Sequence, residues 1–587
     1  MIAREAVSAA NRFGLGAKPG ELANLRDPRE WLLAQLRHDK TTSAFAGLPD
    51  SLQYLRLEND YQRERAAARK ANKAVPRQNT FAQRFREAQT RELGRRYRLA
   101  IATDAGFFER LVRFWSNHFA VSVDKQTSAL YAAPMEREAI RVHMLGHFSD
   151  LLIAVEQHPA MLRYLDNVRS AGEQSLSAQR ARERALRRGD DAPARRTGLN
   201  ENLAREILEL HTLGVDGGYS QADVTELAKA ITGWSVPLQQ DWERGSATSA
   251  FVFRAAAHES GSRSVMEKRY AEAGEAQGRA ILQDLARHPS TARHLSYKLA
   301  RHFVGDAPPA ALVERLAKTW LREEGDLRAV YRTLIGSAES WSPDARKFKT
   351  PDDFVVSAMR ATGTTPDEQP RPLLQLLTRM GQPPFNPRSP AGFGDTADAW
   401  SGPDAVWKRI QAAQALAEAA PGAQPDPVAT AAAVYGGHLD EPTGSALRRA
   451  ESPREGLALL FASPAFQWRT RYVRRLSNFD PTSFHRHCRR HHRADVVAAC
   501  QPGRARGRHT SAGRPVARWV GRSACVATRR RSALRQLARR AGSAESIGVE
   551  HRLRTASIAG VFARLVWAKT VAAGGGGGAA VPATLAF

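Results

Sequence analysis

Residues 200–215, NENLAREILELHTLGV, place three glutamates, an arginine and a histidine within about four helical turns. Carboxylates beside an imidazole are the materials of a metal site or of proton transfer. Two side chains of one helix reach one ion only if they project from the same face. At 100° per residue from Asn200, His211 falls at about 20°, among Leu203, Ala204 and Ile207 on the apolar face. Glu201, Asn202, Arg205, Glu206 and Glu209 fall between roughly 100° and 240°. Glu206 and His211 are therefore about 140° apart, and Glu209 and His211 about 160°. The stretch forms no local metal site. Glu201 and Arg205 make an ordinary i, i+4 pair.

His118 repeats the pattern. In FFERLVRFWSNHFAV (107–121) it shares a face with Phe107, Leu111, Phe114 and Trp115, while Arg110, Arg113 and Asn117 lie opposite. An unsatisfied buried polar group costs about 1–3 kcal/mol, so each inward imidazole needs partners. Two such histidines could meet each other, a carboxylate or a metal ion. Satisfied core histidines are the preferred reading. The alternative is a metal-dependent hydrolase with His118, His211 and a carboxylate from Asp166 or Glu206 around one pocket. His143 and His147 also have ligand spacing, but Gly146 weakens the helix between them. DGGYS (216–220) fails as a calcium loop because its twelfth position is Leu227. No phosphate-binding loop, dinucleotide fingerprint or nucleophile elbow is present, and no cofactor is named by the sequence.

The elements around these residues read as all-α: one large multi-helical domain over 1–469, with long loops. The Ala, Arg and Glu-rich segment from Glu58 to Arg98 suits an exposed helix or helical hairpin. HPAMLRYLDN (158–167) and HPSTARHL (288–295) each put proline at a first helical position. Ser220 and Asp223 have capping-box spacing before the stripe Val224, Leu227, Ala228, Ile231. Residues 170–198 read as an Arg/Ala-rich insertion loop, 381–404 as a Pro/Gly-rich loop, and a short β-hairpin fits near 247–258. GLALLFASPAFQWR (456–469) reads as the last packed helix.

The 587-residue chain carries a net charge of +27, and from Asn478 onward 20 Arg or Lys face 4 Asp or Glu. All three cysteines (Cys488, Cys500, Cys525) lie there too, so the body has no thiol ligands or disulfides. The segment 470–587 reads as a disordered tail or as the product of a wrong reading frame, and nucleic acid is not an expected partner. No apolar run has the length of a membrane span, and the N-terminus lacks a secretory apolar core. Cytoplasmic is the default, with export left open if translation starts upstream.

Several of these motifs together resemble one bacterial family, the domain of unknown function 1800: NRFGLG (11–16), FWSNHFAVS (114–122), HPAMLRYLDN, NENLAREILELHTLGV with YSQADVTELAKAITGW (219–234), HESG (258–261), HPSTARHLSYKLARHFVGD (288–306) and GQPPFNP (381–387). The resemblance spans nearly all of 1–469. It stresses Asn117, His118, Asp166, Asn167, Asn202, Arg205, Glu206, Glu209, His211, His258 and Gly261, and it brings no agreed activity. Asn, Arg and Glu at helix junctions commonly hold helices in register through caps and buried hydrogen bonds, which favours an accessory or interaction protein. The resemblance implies a partner from another uncharacterised family, one similar to sulfatases and alkaline phosphatases.

Overall fold

The computed structural model describes residues 2–37, 43–72, 78–188, 198–422 and 425–470. They fall within one compact unit, Met1–Val473. The expectations for 471–587 lie outside the described residues.

Local side-chain chemistry sets where the helices begin. Helix α1 (Ser51–Lys70) starts at a capping box of Asp50 and Gln53, and α2 (Gln78–Ala102) follows it. Helix α3 (Gly106–His118) has no cap of its own; Gln35 Oε1, from elsewhere in the chain, accepts from Phe107 N at 2.8 Å. After α4 (Phe148–Glu156), α5 (Pro159–Tyr164) opens on His158, whose Nδ1 accepts from Ala160 N at 3.1 Å, with Pro159 where no N–H is needed. Helix α6 (Leu176–Arg188) lies inside the stretch expected to be an insertion loop. Its alanines and arginines are strong helix formers, and they outweigh the scarcity of apolar residues that suggested a loop. Only 189–197 of that stretch lie outside the described residues.

Helix α7 (Asn202–Glu206) runs into a π turn, Ile207–His211. Helix α8 (Gln221–Ala230) has the expected Ser220–Asp223 capping box, and its stripe Val224, Leu227, Ala228, Ile231 is buried. The extended segment near 247–258 supplies strand β2 (Val252–Phe253), paired antiparallel with β1 (Trp234–Ser235) rather than with its own neighbour. A second pair, β3 (Arg263–Val265) and β4 (Lys268–Tyr270), turns through Met266 and Glu267, both at positive φ. That turn lacks the Asn-Gly signature that marks such hairpins in a sequence. Helix α9 (Pro289–Phe303) repeats the His-Pro start through His288 Nδ1 and Ser290 N, and it packs against α10 (Ala310–Arg322). Helix α11 (Pro351–Thr362) precedes the irregular 381–402 region. The last long helix, α12 (Pro453–Ala462), breaks at Ser463–Pro464 into a short turn of helix.

Helix α3 departs most from expectation. The charged part of its polar face is withdrawn from bulk water: Glu109 and Arg110 are 1% and 2% exposed. Arg141 clasps Glu109 through two 2.7 Å bonds, Arg110 bonds Asp353 at 2.8 Å, and Arg113 bonds Asp352 at 2.7 Å. The opposite face joins an aromatic cluster in which Trp115 stacks on Phe119 and packs against Phe148. An apolar layer therefore lies on one side of α3 and a buried ionic layer on the other.

Candidate functional site

His211 points into the core, as the helical wheel expects. Its ring is fully buried at the end of the π turn, and its Nδ1 lies 2.8 Å from Oε1 of Glu156, which is equally buried at the end of α4. His118 lies beside it, with ring centroids 6.1 Å apart. Its Nε2 meets the His211 backbone carbonyl at 3.2 Å and its Nδ1 meets Lys298 Nζ at 2.9 Å. A carbonyl only accepts, so Nε2 carries the hydrogen. Nδ1 is then the acceptor for the Lys298 ammonium. Burial, followed by the charge of Lys298, holds His118 well below the ordinary histidine range, consistent with a neutral ring.

This contact opens onto a cleft of about 120 Å³ that reaches solvent. Helix α3 contributes Arg113, Phe114, Asn117 and His118, α9 contributes Lys298 and Arg301, and the far wall is the loop carrying Phe385 and Phe393. Asn117 seats that loop: its amide donates to Phe393 O at 3.0 Å and accepts from Phe393 N at 2.8 Å. Phe385 has φ 52°, an unusual value for an aromatic residue, and is held by Val123 N on its carbonyl at 2.9 Å and by Arg96 over its ring. Gly392 has φ +81°, and a Cβ there would sit 2.3 Å from Asn117 O. Gly392→Ala is expected to cost at least 1–2 kcal/mol, on the order of the left-handed penalty alone. A urea midpoint equal to wild type would show that the loop is not seated as described.

The cleft's charges divide unevenly. Asp352 and Asp353 are bonded to arginines, and Asp395 lies beside His302 (3.4 Å) and Lys347 (3.4 Å). Lys298 has no carboxylate within ion-pair distance among the described residues, and its one hydrogen bond is to neutral His118. Burial, with Arg301 one turn on, lowers it to about 8, against an opposing pull from Asp395. Arg301 is only weakly paired, at 3.8 Å from Asp395, and among the described residues its buried Nε has no hydrogen-bond partner.

The other residues singled out in the sequence stand elsewhere. Asp166, at φ 60°, pairs with Lys125 at 2.6 Å. Glu206 is half-buried, and desolvation raises its carboxyl. Glu209 accepts from the Tyr219 hydroxyl at 3.2 Å, and Arg205 bonds Glu201 and Gln221. Asn202 is the exposed first residue of α7. Asn167 is buried and donates to Ile231 O and Trp234 O. The Nδ1 of His258 bonds Thr232 O at 3.1 Å, and Gly261, at φ +108°, donates its N–H to Glu272. His143 and His147 do not share a helix, because the chain breaks at Met144–His147. His118 and His211 are thus brought together, but only His118 lines the cleft, and neither Asp166 nor Glu206 joins them there. Among the described residues no three His, Cys, Asp or Glu side chains are grouped to hold a metal ion.

One arrangement that imitates a catalytic triad is structural. Ser51 Oγ and Glu138 Oε2 lie 3.1 and 3.4 Å from His158 Nε2. Because His158 Nδ1 accepts a backbone N–H, its proton sits on Nε2, which cannot take a hydroxyl proton.

Lys298, Arg301, Arg113, Glu156 and Phe385 did not emerge from the sequence as site residues. The available signal was Lys298 and His302 at i, i+4 inside SYKLARHF, and Arg113 and Asn117 at the same spacing beside His118. No curated protein and no solved structure matches the chain. The model of the family described as "Protein of unknown function (DUF1800)" matches residues 8–468. A match over residues 8–468 takes in most of the chain and every motif segment from NRFGLG to GQPPFNP, and the chain belongs to the DUF1800 family.

Proposed function

We propose that this protein binds a small anionic ligand through Lys298 and Arg301, and that it works as an accessory protein rather than through metal chemistry. The observation that carries the reading is Lys298: an ammonium lining the cleft, tethered by a neutral imidazole, with no carboxylate within ion-pair distance among the described residues. A partly buried cation without a counter-ion is stabilised by an anion that brings one. The metal-dependent hydrolase alternative is less well supported. Both nitrogens of His118 are engaged, His211 lies on Glu156 outside the cleft, and an ammonium 2.9 Å from His118 would repel a metal cation. Oxyanion binding also suits the partner implied by resemblance, since relatives of sulfatases and alkaline phosphatases would release such anions. No helix among the described residues is long and apolar enough to cross a membrane.

Calorimetry with acetate and inorganic phosphate tests this reading. The full chain is expected to bind at least one of them at pH 7, and Lys298→Met to weaken it at least tenfold. Charge-assisted hydrogen bonds contribute roughly 1.5–3 kcal/mol each. Only protonated Lys298 attracts an anion, so affinity should hold below pH 8 and fall as pH rises through about 8. The groups that bear on this lysine are His118 and His294, both held low, together with Arg301 and Asp395, so Lys298 is the one expected to titrate in that window. Unchanged binding in Lys298→Met would sink the proposal.

A further inference from the structure

We infer that the cleft takes a ligand with an anionic group at each end and an apolar spacer between them, one end on Lys298 and Arg301 and the other on Arg113. This rests on the anion-binding reading above and adds the ligand's shape. Arg113 is nine-tenths buried and lines the same cleft. Its Nε donates to Asp352 at 2.7 Å, but among the described residues its buried Nη1 and Nη2 have no hydrogen-bond partner, and the nearest second carboxylate, Glu109, is 3.9 Å from Nη1. Unused guanidinium N–H groups in a fork are suited to a carboxylate or phosphoryl group.

The two cationic points stand at different levels of α3: Arg113 and His118 are five residues apart, an axial rise of roughly 7–8 Å, and Lys298 is bonded to His118. The lining between and around them is partly aromatic, with Phe114 on one wall and Phe385 and Phe393 on the other. A polar spacer would lose its water against those rings, whereas a run of methylenes would gain from burial. The cleft lining carries five cationic side chains against three carboxylates; Arg96 is taken up by Glu136, and the three carboxylates already have cationic neighbours, so the balance left at Lys298, Arg301 and Arg113 favours anionic groups.

The test is calorimetry on the full chain at pH 7 with acetate and a series of straight dicarboxylates from malonate to suberate. A diacid of intermediate length is expected to bind at least tenfold tighter than acetate, with weaker binding on either side of the optimum. Arg113→Gln should collapse the diacid-to-acetate affinity ratio towards one. Arg113→Lys, which keeps a cation beside Asp352 but lacks the fork, should lower the ratio and shift the optimum, and it serves if the glutamine variant does not fold. Affinity that is flat with chain length, or a ratio unmoved by either variant, overturns the two-ended ligand while leaving anion binding intact. Absence of binding by every anion in the series and by inorganic phosphate overturns both readings.

Discussion

Asp353→Asn is expected to destabilise the protein by about 3–5 kcal/mol, the cost of leaving buried charge uncompensated. One carboxylate, 5% exposed, serves two guanidinium groups: Arg110 Nη1 at 2.8 Å, and Arg469 through Nε at 3.0 Å and Nη2 at 2.7 Å. Both arginines are almost fully buried. Asparagine keeps the volume and can accept one hydrogen bond, so the substitution isolates the charge. Urea denaturation reads the effect as a lowered midpoint at unchanged slope. A loss below about 1 kcal/mol would mean that water reaches the pair and screens it.

The same carboxylate gives the pH dependence a definite sign. Desolvation works against its ionisation, but Arg110 and Arg469 prevail and hold it far below the usual aspartate range. A depressed folded-state value contributes stability that is complete above the unfolded-state value, about 3.9, and is lost as pH falls towards the folded one. The difference between wild type and Asp353→Asn should therefore be constant from pH 5 to 8 and shrink below about pH 4. A difference that grew on acidification would contradict the assignment. The site is affected as well, because Arg469 also donates to His302 O, and His302 follows Arg301 on α9.

The helices were legible in the sequence where local chemistry decides them. His158 and His288 before proline, the Ser220–Asp223 box and the inward stripe of α8 are rules satisfied within a few residues. What periodicity could not convey is what a polar face meets. Arg110, Arg113 and Asn117 show the same pattern whether they face water or a buried carboxylate layer, and the carboxylates, Asp352 and Asp353, lie more than 230 residues away. His118 was legible as a buried imidazole needing partners. Its actual partners, a backbone carbonyl and Lys298, come from two other helical segments and leave no trace in local spacing. The wheel also placed His211 correctly despite assuming a straight α-helix. The π turn is confined to Ile207–His211, and the phase shift accumulated over so short a run leaves His211 on the buried side.

The His211–Glu156 pair decides whether the family motif's histidine is structural. The two approach to 2.8 Å, neither has a hydrogen bond among the described residues, and both are fully buried, so removing one leaves the other an uncompensated polar group inside an apolar core. His211→Leu and Glu156→Met singly are each expected to cost about 2–3 kcal/mol. The double variant removes both ends of the interaction and should cost clearly less than the sum, because a buried polar pair replaced by apolar residues of similar size is often neutral. The His118 anchor survives in all three variants, since it uses the His211 backbone carbonyl rather than the ring. Anion affinity at Lys298 should accordingly stay within about twofold in the double variant, a change of roughly 0.4 kcal/mol. If the double variant folds but loses binding by tenfold or more, His211 acts on the cleft through its side chain, and the motif histidines are a functional unit rather than a packed pair.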